Sequence, residues 1–223
     1  IDDNQYYFFL ATLLESADKI ANTASVYGAF LKHIKKSASK PLILEPAIFE
    51  QNSDDHMVFN EDANTLIRKI QGDILYLDPP YNHRQYGANY HLLNTIALYD
   101  DFKPHGKTGL RDYFTSDYCR KGRVNKVFED LISNAKFKYI FLSYNNEGLM
   151  SLDDVKQIMS KYGEYDLITK KYQRFKADRD VNRVYKADST FEYLHVLAKE
   201  GALYYPKKEI EDNKSKQLSL LGF

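Results

Sequence analysis

Four consecutive residues, Asp78-Pro79-Pro80-Tyr81, carry groups able to hold a planar amine. Asp78 offers a carboxylate. Two prolines in series fix φ and force extended geometry on the residue before each, so the Pro79 carbonyl is held at one angle without help from a ligand. Tyr81 adds a flat aromatic face beside these two acceptors. One carboxylate, one rigid carbonyl and one stacking ring match the two N–H donors and the π-face of an exocyclic amine on a nucleobase. The structural alternative is that Pro-Pro merely ends a strand while Asp78 caps the turn.

The tetrapeptide needs an element to present it. Asp73–Leu77 is an apolar run of strand length without polar alternation, the pattern of a central parallel strand buried on both faces. In open α/β sheets ligands bind beyond the carboxyl ends of the strands, where Asp78 stands. A second apolar strand, Tyr139–Ser143, ends at Tyr144-Asn145-Asn146. Two closing strands, Asp166–Arg174 and Glu192–Lys199, are joined without a helix, so the last is expected to be antiparallel. Short strands are also expected at Leu42–Leu44 and Met57–Phe59. The spacings predict helices over Tyr6–Ala17 and Ile20–Ile34, after Asn60-Glu61-Asp62, around Leu92–Ile96 and Val127–Ile132, and from the Ser151 cap to Tyr162. Strands alternating with helices give an α/β class with a largely parallel sheet.

Composition narrows the partners. Thirty-one basic residues cancel thirty-one acidic ones, so a polyanion must be held by a local patch. Two patches exist. Lys103–Lys126 carries seven Lys or Arg against two Asp, and Lys170–Lys186 repeats that ratio. Lys107, Arg111, Arg174 and Lys176 are the candidate phosphate contacts, against the alternative of ordinary solvated loops. Arg84, just past the tetrapeptide, reaches either a flanking phosphate or an orphaned base. No apolar run approaches the roughly 18 residues of a membrane span. The single cysteine, Cys119, excludes an internal disulfide and suits a reducing cytoplasm. No histidine shows metal-ligand spacing with carboxylates, so no metal is expected. Ser143 lacks a nucleophile-elbow setting.

Asp-Pro-Pro-Tyr after one apolar strand, with Ser143-Tyr144-Asn145-Asn146 closing another, resembles the S-adenosylmethionine-dependent N6-adenine DNA methyltransferases. The likeness is greatest to the Dam-like group. The run from Tyr76 to Tyr86 is similar to the modification methylases of restriction systems, FokI-like enzymes included, and the resemblance covers roughly residues 5–200. It implies a Rossmann-like methyltransferase sheet that moves a methyl group from S-adenosylmethionine to N6 of an adenine flipped out of double-stranded DNA. Asp78 and the Pro79 carbonyl would hold the amine, with Pro80 fixing the turn and Tyr81 stacking on the base. Asp62 and Asp78 would face the cofactor. Ala63 stands where the family usually has an aromatic residue. A non-catalytic DNA-binding remnant and an RNA adenine methyltransferase are the alternatives.

The family's aromatic-x-Gly-x-Gly turn is absent from this sequence, as are its first two strands, which lie in the family's sheet between the third strand and the Asp78 strand. An incomplete sheet with an unpaired edge is therefore expected. The chain would be an N-terminally cut product, or a subunit completed by another polypeptide. Residues 1–40 are expected as a helical part of the target-recognition region, 41–200 as the catalytic core, and 201–223 as a polar tail. Within that tail Gln217-Leu218-Ser219-Leu220-Leu221 resembles the peptide by which replication proteins dock on the sliding clamp; folding back as a terminal plug is the alternative.

Overall fold

A computed structural model describes residues 1–23, 26–29, 31–50, 53–173, 189–199 and 201. In chain order the first elements are α1 Asp3–Ile20, α2 Ala63–Leu66, β1 Gln71–Leu77, α3 Tyr86–Asn89 and α4 His91–Leu98. Then come α5 Val124–Asn134, β2 Lys136–Asn145, α6 Leu152–Met159, β3 Gly163–Gln173 and β4 Ser189–Lys199. The chain divides into two compact units, residues 1–61 with 80–124 and residues 62–79 with 125–223.

The second unit holds the sheet. Its order is β1-β2-β4-β3, with β1 and β2 parallel and the β2–β4 and β4–β3 pairs antiparallel. The expected antiparallel final strand is present. α5 repeats apolar side chains at Val124, Phe128, Leu131 and Ile132, all buried, and α6 adds Val155, Ile158 and Met159. With Ile140, Leu142 and Leu197 of the sheet they form the core. Ser151 caps α6 through a reciprocal box with Asp154. The Lys199 ammonium donates to the carbonyls of Ile132 (2.9 Å) and Ala135 (2.7 Å), which lack helical partners at the end of α5.

β1 departs from its expectation of burial on both faces. Among the described residues only β2 pairs with it, so it is an edge strand, and Ile74 and Tyr76 are 63% and 62% exposed. An apolar run signals what a strand is suited to pack against; its neighbours decide how much is covered.

In the first unit, Asp2 closes a capping box with Gln5 and starts α1. The buried hydroxyls of Thr12 and Ser16, one turn apart, accept the N–H groups of Ala47 (3.2 Å) and Glu45 (3.1 Å). The helix expected over Ile20–Ile34 does not form. The Asn22 side chain instead clips the loop, donating to the His33 carbonyl and accepting the Lys35 N–H, while Thr23 donates to the Val26 carbonyl. Such side-chain bonds compete with the helical ladder. Leu42–Leu44 and Met57–Phe59 run without a strand partner among the described residues, because an isolated strand has nothing to satisfy its ladder.

Candidate active site

β1 delivers Asp78 at its carboxyl end, and the parallel register pairs Leu77 with Leu142 of β2. Asp78 is exposed, and among the described residues no hydrogen bond or ion pair reaches its carboxylate. The sequence explains why. An aspartate after a strand ordinarily bonds the N–H two residues on, in an Asx turn. Here the next two residues are prolines, which have no N–H. The carboxylate is left open to an external donor, beside a carbonyl whose angle the prolines fix. Tyr81 follows with a ring that is 38% exposed.

The chain beyond the tetrapeptide is pinned. Asn82 makes the Asx turn that Asp78 cannot, accepting the Arg84 N–H at 2.9 Å. The Arg84 side chain is exposed while its carbonyl accepts the Cys119 thiol at 3.3 Å. Burial raises the pKa of that thiol, which suits packing rather than reactivity. Gln85 and Ser116 clasp each other: the Gln85 amide donates to the Ser116 carbonyl (3.2 Å) and accepts the Ser116 N–H (2.7 Å). This clasp helps shape a cavity of about 450 Å³ lined by Pro80, Tyr86, Asn94, Leu98, Tyr113 and Phe114. Gly87 is required at its wall, since a Cβ there would stand 2.7 Å from the Tyr113 Cβ. Neither clasp nor cavity was legible in the sequence, because both join residues some thirty positions apart.

The other candidate residues separate. Lys107 is exposed, in a turn closed by reciprocal bonds between His105 and Leu110. Arg111, expected as a solvent-facing phosphate contact, is 9% exposed and turned inward. It donates twice to Asp100 (2.7 and 3.0 Å) and lies 4.9 Å over the Phe102 ring. Its paired carboxylate and stacked ring satisfy a buried cation internally. That guanidinium holds the Asp100 carboxyl below the usual carboxylate range. Asp62 caps α2, its Oδ1 accepting the Thr65 N–H at 3.0 Å, and Ala63 is the exposed first residue of that helix. Arg174, Lys176 and Gln217–Leu221 lie outside the described residues.

The sequence profile of the D12 class N6 adenine-specific DNA methyltransferases matches residues 1–158. The chain belongs to that family. It is 68% identical to the type II methyltransferase M.NlaIII of Neisseria lactamica over 199 residues, 89% of this chain and 60% of that protein. It is 39% identical to the type II methyltransferase M.FokI of Planomicrobium okeanokoites, over 99% of this chain and 35% of that protein. It is 41% identical to M.CviAII of Paramecium bursaria Chlorella virus 1, over 79% of this chain and 53% of that protein. The chain thus spans 60% or less of the length of each of these relatives. No solved structure matches it. The mixed α/β architecture with its four-stranded sheet is consistent with the fold of a D12-class methyltransferase, and the family's methyl donor is S-adenosylmethionine. Among the described residues no helix is long and apolar enough to cross a membrane, and no three His, Cys, Asp or Glu side chains group as a metal site.

Proposed function

We propose that this chain carries the catalytic pocket of a modification methylase that methylates N6 of an adenine flipped out of duplex DNA. One observation carries the reading: the Asp78 carboxylate has no described internal partner, at a strand end where two prolines withhold the backbone donors. An adenine amine is a weak nucleophile because its lone pair is delocalised into the ring. By accepting one N–H, Asp78 favours the pyramidal nitrogen of the transition state. By accepting the other, the Pro79 carbonyl fixes its orientation. This is electrostatic preorganisation with in-line positioning, and it needs no covalent intermediate on the protein. Flipping the nucleotide costs a few kcal/mol of stacking. A ring at Tyr81 returns about 1–3 kcal/mol of it.

S-adenosylmethionine supplies an electrophilic methyl group when bound. The donor set of this chain fits it in part: Asp62 engages Oδ1 in the α2 cap and no described residue holds Oδ2, which leaves an acceptor for the cofactor's adenine end. Ala63 offers no ring to stack there. Arg84 and Lys107, both exposed, are read as contacts to the DNA backbone, and Arg174 and Lys176 keep that role by sequence alone. Arg111 is read as a brace. The sheet is read as incomplete at β1, supported by the exposure of Ile74 and Tyr76; a strand from further polypeptide would cover that edge. Docking of Gln217–Leu221 on a sliding clamp rests on sequence alone, as does the cytoplasmic setting suggested by the lone Cys119.

The test is transfer of radiolabelled methyl from S-adenosylmethionine to duplex DNA, with N6-methyladenine identified in the digest. Label entering duplex DNA in the wild type and lost in Asp78→Asn supports the reading. Label entering RNA in preference to DNA, or DNA binding without transfer, overturns it.

A further inference from the structure

α4 ends in an unusual way. Tyr99, its C-cap, has φ 45° and ψ 44°, the left-handed region, and among the described residues no other non-glycine residue has a positive φ. That position ordinarily falls to glycine or asparagine, and a bulky side chain there is strained. The fold gains nothing visible from the ring, which is 94% exposed. Yet the backbone on both sides is held firmly. The Tyr99 N–H donates to the Thr95 carbonyl at 3.0 Å. The next residue, Asp100, is gripped by Arg111 through two bonds, and the same guanidinium donates to the Thr95 hydroxyl at 3.4 Å. A buried arginine thus ties the residue after Tyr99 to the helical turn before it. Strain persists only where the surroundings over-determine it, and it concentrates at functional positions.

What surrounds this knuckle suits DNA. Leu98 and Phe114, 60% and 79% exposed, add apolar surface and line the cavity that begins at Pro80. The loop beyond carries the cations of Lys103–Lys126, seven against two aspartates. An exposed aromatic on a rigid mount, with cations nearby on the chain, is the composition of a side chain that wedges between bases while phosphates are held beside it.

We propose that Tyr99 is the residue this protein inserts into the duplex in place of the departing adenine, its ring stacking on the neighbouring bases. The proposal rests on the methyltransferase reading above and adds to it the group that holds the helix open. Asp78 receives the base; Tyr99 keeps the gap from closing.

The experiment compares Tyr99→Gly, Tyr99→Phe and wild type on two duplexes carrying the same site, one fully paired and one with the target adenine opposite an abasic position. Glycine suits the left-handed backbone, so Tyr99→Gly is expected to melt at the wild-type temperature or above it. It is expected to methylate the paired duplex about tenfold more slowly and the abasic duplex within about threefold of wild type, since extrusion is easier there. Tyr99→Phe, which keeps the ring, is expected to stay within about twofold on both. Equal loss on both duplexes, no loss on either, or a clear drop in melting temperature overturns the wedge. A wild type that methylates neither duplex overturns the underlying reading instead, and the wedge with it.

Discussion

β1 and β2 run parallel, one residue type after another apolar, and both end in short polar side chains on the same side of the sheet. At the end of β2 those side chains are used to close the fold. Asn145 is 8% exposed and its Oδ1 accepts the Glu147 N–H two residues on, at 3.0 Å. Asn146 accepts the Phe191 N–H at 3.0 Å and returns its own N–H to the Phe191 carbonyl. The buried Tyr144 hydroxyl accepts the Met150 N–H at 3.3 Å. At the end of β1 the corresponding turn is forbidden, because Pro79 and Pro80 offer no N–H to Asp78. One strand end is sealed by its own backbone and the other is kept open by proline. The two prolines therefore do more than stop a strand: they prevent the carboxylate from satisfying itself.

The largest effect is expected from removing the open acceptor. Asp78→Ala should lower methyl transfer by about 100- to 1000-fold, the scale of losing one preorganised group at a reacting centre. DNA affinity should stay within about threefold, because phosphate contacts dominate it. Single-turnover rates and a gel-shift titration check the two halves. Near-normal turnover would break the comparison at its root.

Acid should act on the sealed side. His195 of β4 lies opposite Leu142 of β2, fully buried, with Nδ1 2.8 Å from the Tyr165 hydroxyl and Nε2 without a partner among the described residues. Burial pushes its pKa down to about 4. The unfolded chain, with an ordinary imidazole, binds the proton first, so stability is full above about pH 6.5 and falls as the pH drops towards 4. The loss is on the order of 3 kcal/mol from this one group. Denaturant midpoints at pH 7 and pH 4.5 measure it, and His195→Gln should shrink the difference between them.

A subtler change probes the prolines themselves. Pro80→Ala restores an N–H two residues after Asp78 and permits the Asx turn that Asn145 and Asn82 make. The carboxylate would then be partly satisfied from within. A hydrogen bond to a charged group is worth about 1.5–3 kcal/mol, so methyl transfer should fall about 10- to 100-fold with the aspartate still present. Unchanged transfer in Pro80→Ala would mean that the prolines serve only to end the strand.

Much of this was legible in the sequence, for definite reasons. The tetrapeptide, the strand before it and the Asp62 and Ser151 caps are local, and their chemistry is written within a few consecutive residues. The antiparallel final strand followed from a connection without a helix. What failed depends on partners distant in the chain. Composition could not show that Asp100 and Phe102 draw Arg111 inward, or that Gln85 clasps Ser116. The apolar pattern over Ile20–Ile34 looked helical, but Asn22 and Thr23 offered the backbone better partners in a loop. Tyr99 gave no signal at all, since a left-handed tyrosine is a fact of backbone geometry alone.

The smallest expected effect sharpens the comparison from its sealed half. Asn145→Ala removes the acceptor of the Glu147 N–H and leaves a donor at a largely buried strand end. Such a loss costs about 1–3 kcal/mol, at the lower end here because Glu147 is itself exposed to water. The expected result is a modest fall in the denaturation midpoint with the single-turnover rate within about twofold of wild type. Aspartate at the same position should restore most of the stability, because its carboxylate can accept the same N–H in the same turn. If Asn145→Ala instead slowed methyl transfer as much as Pro80→Ala does, with the fold intact, then the β2 end would also belong to the pocket. The division between a strand end that closes the fold and one that faces the substrate would have to be withdrawn.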